Sequence, residues 1–353
     1  MRLASLPALL LSVLALAIAA PALRAQDAPS TDAPPPASNA PAYQDTRDPN
    51  ATTLNVNVNL VDIYFSVRDK GGFLTSLRKD DCQLFEDSKL QTIKNFTQEK
   101  NLPLTIGILL DTSGSQQYVL PLEQESGATF LKNVLTPKDE AFLISFDVNV
   151  DLLSDYTNNP REIKRAIDHA SINSASSSAG IPGIGGGPLP TSNPRGTLLF
   201  DAVYLAAHDK LRAESGRKIL VLLTDGGDQG SQETLKTATE AAQKANAIIY
   251  VILIADRQYH QGNVFDHSTQ DMQQLTTQTG GRVINVGHNG QKLEEAFDQI
   301  QDELRTQYLV SYTPVNKTAD GKFRKINIDC GKGAQVQARK GYYAIAGDNA
   351  NDN

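Results

Sequence analysis

From Leu54 the apolar residues fall on alternate positions. Val56, Val58 and Leu60 alternate with asparagines, and Ile63, Phe65 and Val67 then alternate with Tyr64, Ser66 and Arg68. A period of two marks a strand with one buried face. Asp69-Lys70-Gly71-Gly72 reads as a turn, and apolar segments at 73–77, 82–85 and 93–96 predict further antiparallel strands. So small a β-unit cannot bury a core of its own. After Pro103 the pattern changes. Residues 104–110 form a near-continuous apolar run, which predicts a strand covered on both faces. Helical spacing follows over 120–134, then strands at 141–146 and 148–153, then a helix over 160–169 with Pro160 in its first turn. Helices predicted at 198–211, 233–245, 271–279 and 292–305 interleave with strands at 218–223, 247–254 and 282–286. This alternation predicts an α/β fold with a doubly wound, mostly parallel sheet. Beyond Gln307 the β character returns at 308–312, 323–328 and 336–339, with Gly321 in the first turn. The economical arrangement is an α/β domain at 102–306 flanked by a small β-sandwich-like domain built from both 52–101 and 307–346.

The N-terminus bears on compartment. Arg2 precedes an uncharged apolar run over 6–20, broken only by Pro7 and Ser12, and small residues lead to a cleavage point at Ala25 or Ala22. This is the form of a secretory signal at 1–25. The run is too short and too Ala-rich for a membrane span, so no membrane insertion is expected after cleavage. Residues 26–51 are rich in Pro and Ala and read as a disordered linker, and 347–353 as a polar tail. The chain carries 33 basic and 40 acidic residues, a net charge of −7, without a Lys/Arg run. That argues against nucleic acid as the main partner and against a polybasic membrane role. Two cysteines exclude a disulfide-rich scaffold and a four-cysteine zinc module. An oxidising compartment favours pairing of Cys82 with Cys330, one in each β flank; two separate buried thiols are the alternative.

The chemistry concentrates where apolar strands end. The run 104–110 leads into Asp111-Thr112-Ser113-Gly114-Ser115, and 218–223 into Thr224-Asp225-Gly226-Gly227-Asp228. Between them, Gly196-Thr197 precedes the helix at 198. Ligands of open α/β sheets bind at the carboxyl ends of the strands. The plainer reading of Asp111 and Ser113 is as caps of the following helix.

Asp-x-Ser-x-Ser at 111–115, Thr197 before a helix, and Leu-Thr-Asp-Gly at 223–226 resemble a von Willebrand factor type A domain over about 102–307. The resemblance implies a metal-ion-dependent adhesion site. Ser113 and Ser115 would bind an ion through their hydroxyls, Thr197 directly or through water, and Asp111 and Asp225 would supply charge. Short hydroxyl and carboxylate side chains on tight loops suit a small octahedral ion, so Mg²⁺ or Mn²⁺ is expected. Few formal charges leave such an ion able to take a further oxygen from a protein partner's Asp or Glu carboxylate. The flanking stretches "VRDKGGFLTSLRKDDCQLFED" and "QYLVSYTP…VQARKGYYA" resemble the exported von Willebrand A-related proteins known chiefly from acidobacteria. That group usually carries an aromatic residue where this chain has Cys82.

Other features read more plainly. The loop 171–196, rich in Ser, Gly and Pro, lacks the Gly-Lys-Ser/Thr of a phosphate loop and reads as a surface insertion bordering the metal face. His260 and His267 share a loop with Asp256 and Asp266, where ordinary exposed histidines are expected. No Gly-x-Ser-x-Gly elbow surrounds Ser113. The expectation is therefore a secreted or periplasmic, non-enzymatic binding module. The alternative is a structural or envelope-assembly protein in which the metal mainly stabilises the fold.

Overall fold

The computed structural model describes residues 60–99, 102–172, 196–254, 267–331 and 333–345. The expected signal segment, linker and C-terminal tail, most of the 171–196 loop, and His260, Asp256 and Asp266 lie outside these residues. The first flank forms β1 (Val61–Asp69), β2 (Gly72–Phe73), β3 (Gln83–Glu86), β4 (Lys89–Gln91) and β5 (Ile93–Gln98). The middle of the chain runs β6 (Leu104–Asp111), α1 (Leu120–Val134), β7 (Glu140–Phe146), β8 (Val150–Thr157), α2 (Pro160–His169) and α3 (Leu199–Leu205). It continues through β9 (Arg217–Thr224), α4 (Leu235–Ala245), β10 (Ala247–Leu253), α5 (Ser268–Thr279), β11 (Val283–Asn285) and α6 (Gly290–Thr306). The second flank adds β12 (Tyr308–Tyr312), β13 (Phe323–Asp329), β14 (Gln335–Ala338) and β15 (Gly341–Tyr343).

The middle segment builds one six-stranded sheet in the order β11-β10-β9-β6-β7-β8. All its pairings are parallel except β7 with β8. β6 is buried at every position, as a strand covered on both faces must be. Its side chains alternate between two cores. Ile106, Ile108 and Leu110 pack with Leu131 of α1, Ile163 of α2 and Ile300 of α6. Leu109 packs instead with Val203 of α3, Ala242 of α4 and Leu275 of α5. The chain is thus mixed α/β, with a mostly parallel sheet and helices on both sides of it.

The expected third strand is displaced to β8, and it runs antiparallel. Asp147 is the reason: its Oδ1 accepts from Asn149 N at 3.0 Å and its own N–H donates to Asn149 O at 2.9 Å. This tight turn closes β7 and β8 into a hairpin instead of a crossover. The segment expected as a strand at 73–77 contributes only the two residues of β2. The helix expected at 198–211 divides into α3 and a wider turn of π type over Ala206–Leu211.

The flanks pair with each other. β1 lies between β14 and β12 in a sheet completed by β5 and β2, and β13 joins β15 to β3 in a second sheet with β4. Both flanking sheets are antiparallel. Ile63, Phe65 and Val67 of the first sheet share a core with Leu84, Ile326 and Ile328 of the second. Cys82 and Cys330 form a disulfide. They sit one step beyond the last pair of the β3–β13 ladder, Gln83 opposite Asp329.

Glu303 of α6 ties flank to middle. Its carboxylate accepts from Ser66 Oγ of β1 at 3.0 Å, Tyr250 OH of β10 at 2.9 Å and Arg282 Nε at 3.0 Å. A buried acid with three donors is costly to remove, because the donors lose their acceptor and Arg282 its counter-charge. Glu303→Leu is expected to lower unfolding free energy by about 3 kcal/mol in urea titrations. A loss below about 0.5 kcal/mol would show that the network contributes nothing to stability.

Candidate metal centre

β6 and β9 are adjacent in the sheet, and the strand order reverses between them. Their carboxyl ends therefore open onto the crevice where such sheets bind ligands. Asp111 ends β6 and is completely buried. Its Oδ1 accepts from Ser113 N at 2.9 Å and its Oδ2 from Thr224 Oγ1, at the end of β9, at 2.7 Å. Ser113 Oγ lies 3.0 Å from Ser115 Oγ. Gly226 N donates to Thr224 Oγ1 at 3.0 Å, and Gly227 N to Asp225 Oδ1 at 3.2 Å. Gly226 has φ +88, a conformation that only glycine adopts without strain, and this turns the second loop back over the strand end. Ser113 stands at the N-cap of a short 3-10 turn, Gly114–Gln116, but its side chain makes no cap bond there, and α1 itself starts only at Leu120 with Val119 as its N-cap.

Thr197 is held next to this pair of loops through its backbone. It exchanges two hydrogen bonds with Gln229, each 2.9 Å, in an isolated antiparallel bridge. Leu198 N donates to Asp147 O at 2.8 Å, while Asp147 Oδ2 accepts from Thr112 Oγ1 at 2.9 Å. Asp228 Oδ1 accepts from Phe200 N at 3.1 Å and from Ser231 Oγ at 2.6 Å. The three loops are thus stitched together by groups outside the expected ligand set. The structure brings Asp111, Ser113 and Ser115 into one hydrogen-bonded cluster, with Asp225 close enough for its charge to act on Asp111. Thr197, half-buried, is tied by its backbone to Gln229 in the loop after β9 and makes none of the bonds that join Asp111, Ser113 and Ser115.

The sequence reading gave no role to two residues with a part in this site. Thr224 is one: it was read only as part of the loop and motif, and its hydroxyl donates to Asp111. Its sequence signal was its place directly before Asp225. The other is Glu123, in the first turn of α1, only 1 % exposed, whose two carboxylate oxygens have no hydrogen-bond partner among the described residues. An acid at the helical spacing Leu120, Glu123, Gly127, Leu131, Val134, where the other positions are apolar or small, was the available signal.

The electrostatics are one-sided. Burial, then the charge of Asp225, push the Asp111 carboxyl up to about 7, against the pull of its bonds to Ser113 and Thr224. Burial, then Asp111 and Asp225, hold Glu123 well above the usual carboxylate range. No basic side chain is among the groups that shift either acid. Buried carboxylates in such surroundings want a cation or a proton. Among the described residues no three His, Cys, Asp or Glu side chains gather into a ligand cluster. The donors here are instead hydroxyls beside two aspartates, all hard oxygens, and that set fits Mg²⁺ or Mn²⁺ better than a soft metal.

No family model and no curated relative matches the chain. Solved structures of similar shape include BatB from Bacteroides thetaiotaomicron, at 16 % identity and TM-score 0.41 over 57 % of this chain and 98 % of that one. Proximal thread matrix protein 1 from the mussel byssus matches at 13 % identity and TM-score 0.44, over 62 % of this chain and 51 % of its own. A further structure of that mussel protein has zinc in its MIDAS motif, the metal-ion-dependent adhesion site; it matches at 14 % identity and TM-score 0.42, over 62 % of this chain and 49 % of its own. At such distance the strand order and loop geometry, rather than these likenesses, define the site. No helix among the described residues is long and apolar enough to cross a membrane.

Proposed function

We propose that this chain is an exported, non-enzymatic protein-binding module whose doubly wound core is of the von Willebrand factor type A kind. Asp111, Ser113, Ser115, Thr197 and Asp225 would hold Mg²⁺ or Mn²⁺. The bound ion would supply an electrophilic position for an Asp or Glu carboxylate of a protein partner. The observation that carries this reading is the fully buried Asp111 at the strand-order reversal, bonded to Thr224 and beside the Ser113–Ser115 hydroxyl pair, with the charge of Asp225 acting on it and no basic group among the described residues that shift it. Ser113 Oγ faces another hydroxyl rather than a base, which suits a ligand better than a nucleophile. The Cys82–Cys330 disulfide suits an oxidising compartment such as a periplasm or the exterior.

The complete burial of Asp111 also gives weight to a second reading, in which the ion mainly stabilises the loops of an envelope component. Thermal unfolding of the purified chain in EDTA, Mg²⁺, Mn²⁺ and Ca²⁺ tests the centre. An ion at about 100 times its Kd adds about 2.7 kcal/mol, a shift of several degrees. Absence of any shift with all three ions would sink both readings. If the shift is present, an acidic peptide that raises Tm further only in the presence of the ion favours carboxylate capture. A peptide without effect at millimolar concentration favours the stabilising role.

A further inference from the structure

The inner face of α1 is built for packing: Leu120, Ala128, Phe130, Leu131 and Val134 all enter the core beside the sheet. Glu123 occupies that face without a donor for either oxygen. Two neighbours on the same stretch share the condition, since Gln116 Oε1, in the loop before the helix, and Ser126 Oγ, one turn after Glu123, are also buried without partners. The passage from metal loop to helix therefore buries unpaired oxygens and offers them no proton. A buried polar group left unpaired is destabilising, and a leucine at 123 would pack at no such cost. The charges that act on Glu123 are those of Asp111 and Asp225. The buried Glu123 carboxyl thus lies within reach of the charges of the two aspartates of the centre.

We infer that Glu123 is a third acid of this centre, a buried counter-charge residue on the inner face of α1 that strengthens cation binding. The inference rests on the reading of Asp111 and Asp225 as a cation site. Because no three-acid ligand cluster is gathered among the described residues, Glu123 acts through its charge rather than as a third direct carboxylate ligand. With it, the centre holds one more negative charge than the five expected ligands provide. A divalent ion then satisfies acids that otherwise repel one another in a poorly solvated place.

The test is isothermal titration of Mg²⁺ and Mn²⁺ into the full chain, wild type against Glu123→Gln, with Tm measured in EDTA alongside. The variant keeps the shape and removes the charge. The expected result has two opposite signs: Tm in EDTA rises, while the ion binds at least about tenfold more weakly. A purely structural residue would not produce that split. Equal affinity in both proteins would overturn the role of Glu123 and leave the metal centre standing. No ion binding to wild type at all would overturn the centre and the inference together. Should Glu123→Gln fail to fold, Glu123→Leu fills the same buried volume without charge and is read in the same way.

Discussion

Asp111→Asn is expected to abolish the stabilisation by Mg²⁺ and to remove much of the pH dependence of the cation-free protein. The sign follows from the folded-state acid. Asp111 titrates near 7 in the folded chain against an ordinary value of 3.8. Between those values the folded state keeps a proton that the unfolded chain has released, so stability falls as pH rises. The contribution is whole below about pH 4 and gone above about pH 7, a change of about 4 kcal/mol for a shift of this size. Glu123 adds to the same slope, since its carboxyl is also held well above its usual range. Asparagine retains an acceptor for Ser113 N and a polar group for Thr224 Oγ1, while its charge is fixed at zero. In EDTA the variant should therefore match wild type near pH 4 and exceed it near pH 8. In Mg²⁺ the gap at pH 8 should narrow by the ion's increment, about 2.7 kcal/mol at 100 times its Kd, because only wild type gains from the ion. Urea unfolding at pH 4 to 8, with and without Mg²⁺, reads both effects. A flat wild-type profile in EDTA, or a variant that still responds to Mg²⁺, would refute the assignment.

Local pattern foretold the middle of the chain better than its connections. The expected boundaries of α1 and α2 coincide with those observed, because each starts or ends at a strong local signal such as Asn159-Pro160. β6 was legible as an uninterrupted apolar run. What escaped depends on partners that periodicity does not report. Thr224 reaches Asp111 across 113 positions, and no periodicity reports such a bond. β4 and β15 have three residues each, too short to show a period, and exist because β3 and β13 offer them an edge. The antiparallel β8 was concealed in one turn, where Asp147 folds back on Asn149. Glu123 escaped for a different reason. An acid in the first turn of a helix is ordinary, since it favours the positive end of the helix dipole. Only its burial among apolar neighbours, with both oxygens unpaired, distinguishes it from a solvated first-turn glutamate.

Removal of the disulfide should produce the largest loss of stability and leave the cation response intact. The bond closes a sequence separation of 248 residues that includes the entire middle sheet. Loop-closure entropy for so long a segment corresponds to about 5 kcal/mol, arising in the unfolded chain rather than in any native contact. Cys82 and Cys330 continue the register of Gln83 opposite Asp329. Released, β3 and β13 keep their ladder and their share of the flank core, so the folded architecture should survive. The metal loops depend on β6, β9 and the bonds among Asp111, Thr224 and Asp147, none of which involves the cysteines. Cys82→Ser/Cys330→Ser is therefore expected to unfold at much lower urea, with a loss of 3 to 5 kcal/mol on the scale of about 2–5 typical of native disulfides. It should respond to Mg²⁺ by the same increment as wild type. Wild type treated with dithiothreitol should behave as the double variant does, which ties the effect to the bond rather than to the serines. A reduced protein as stable as the oxidised one would show that the β flank gains nothing from the cross-link.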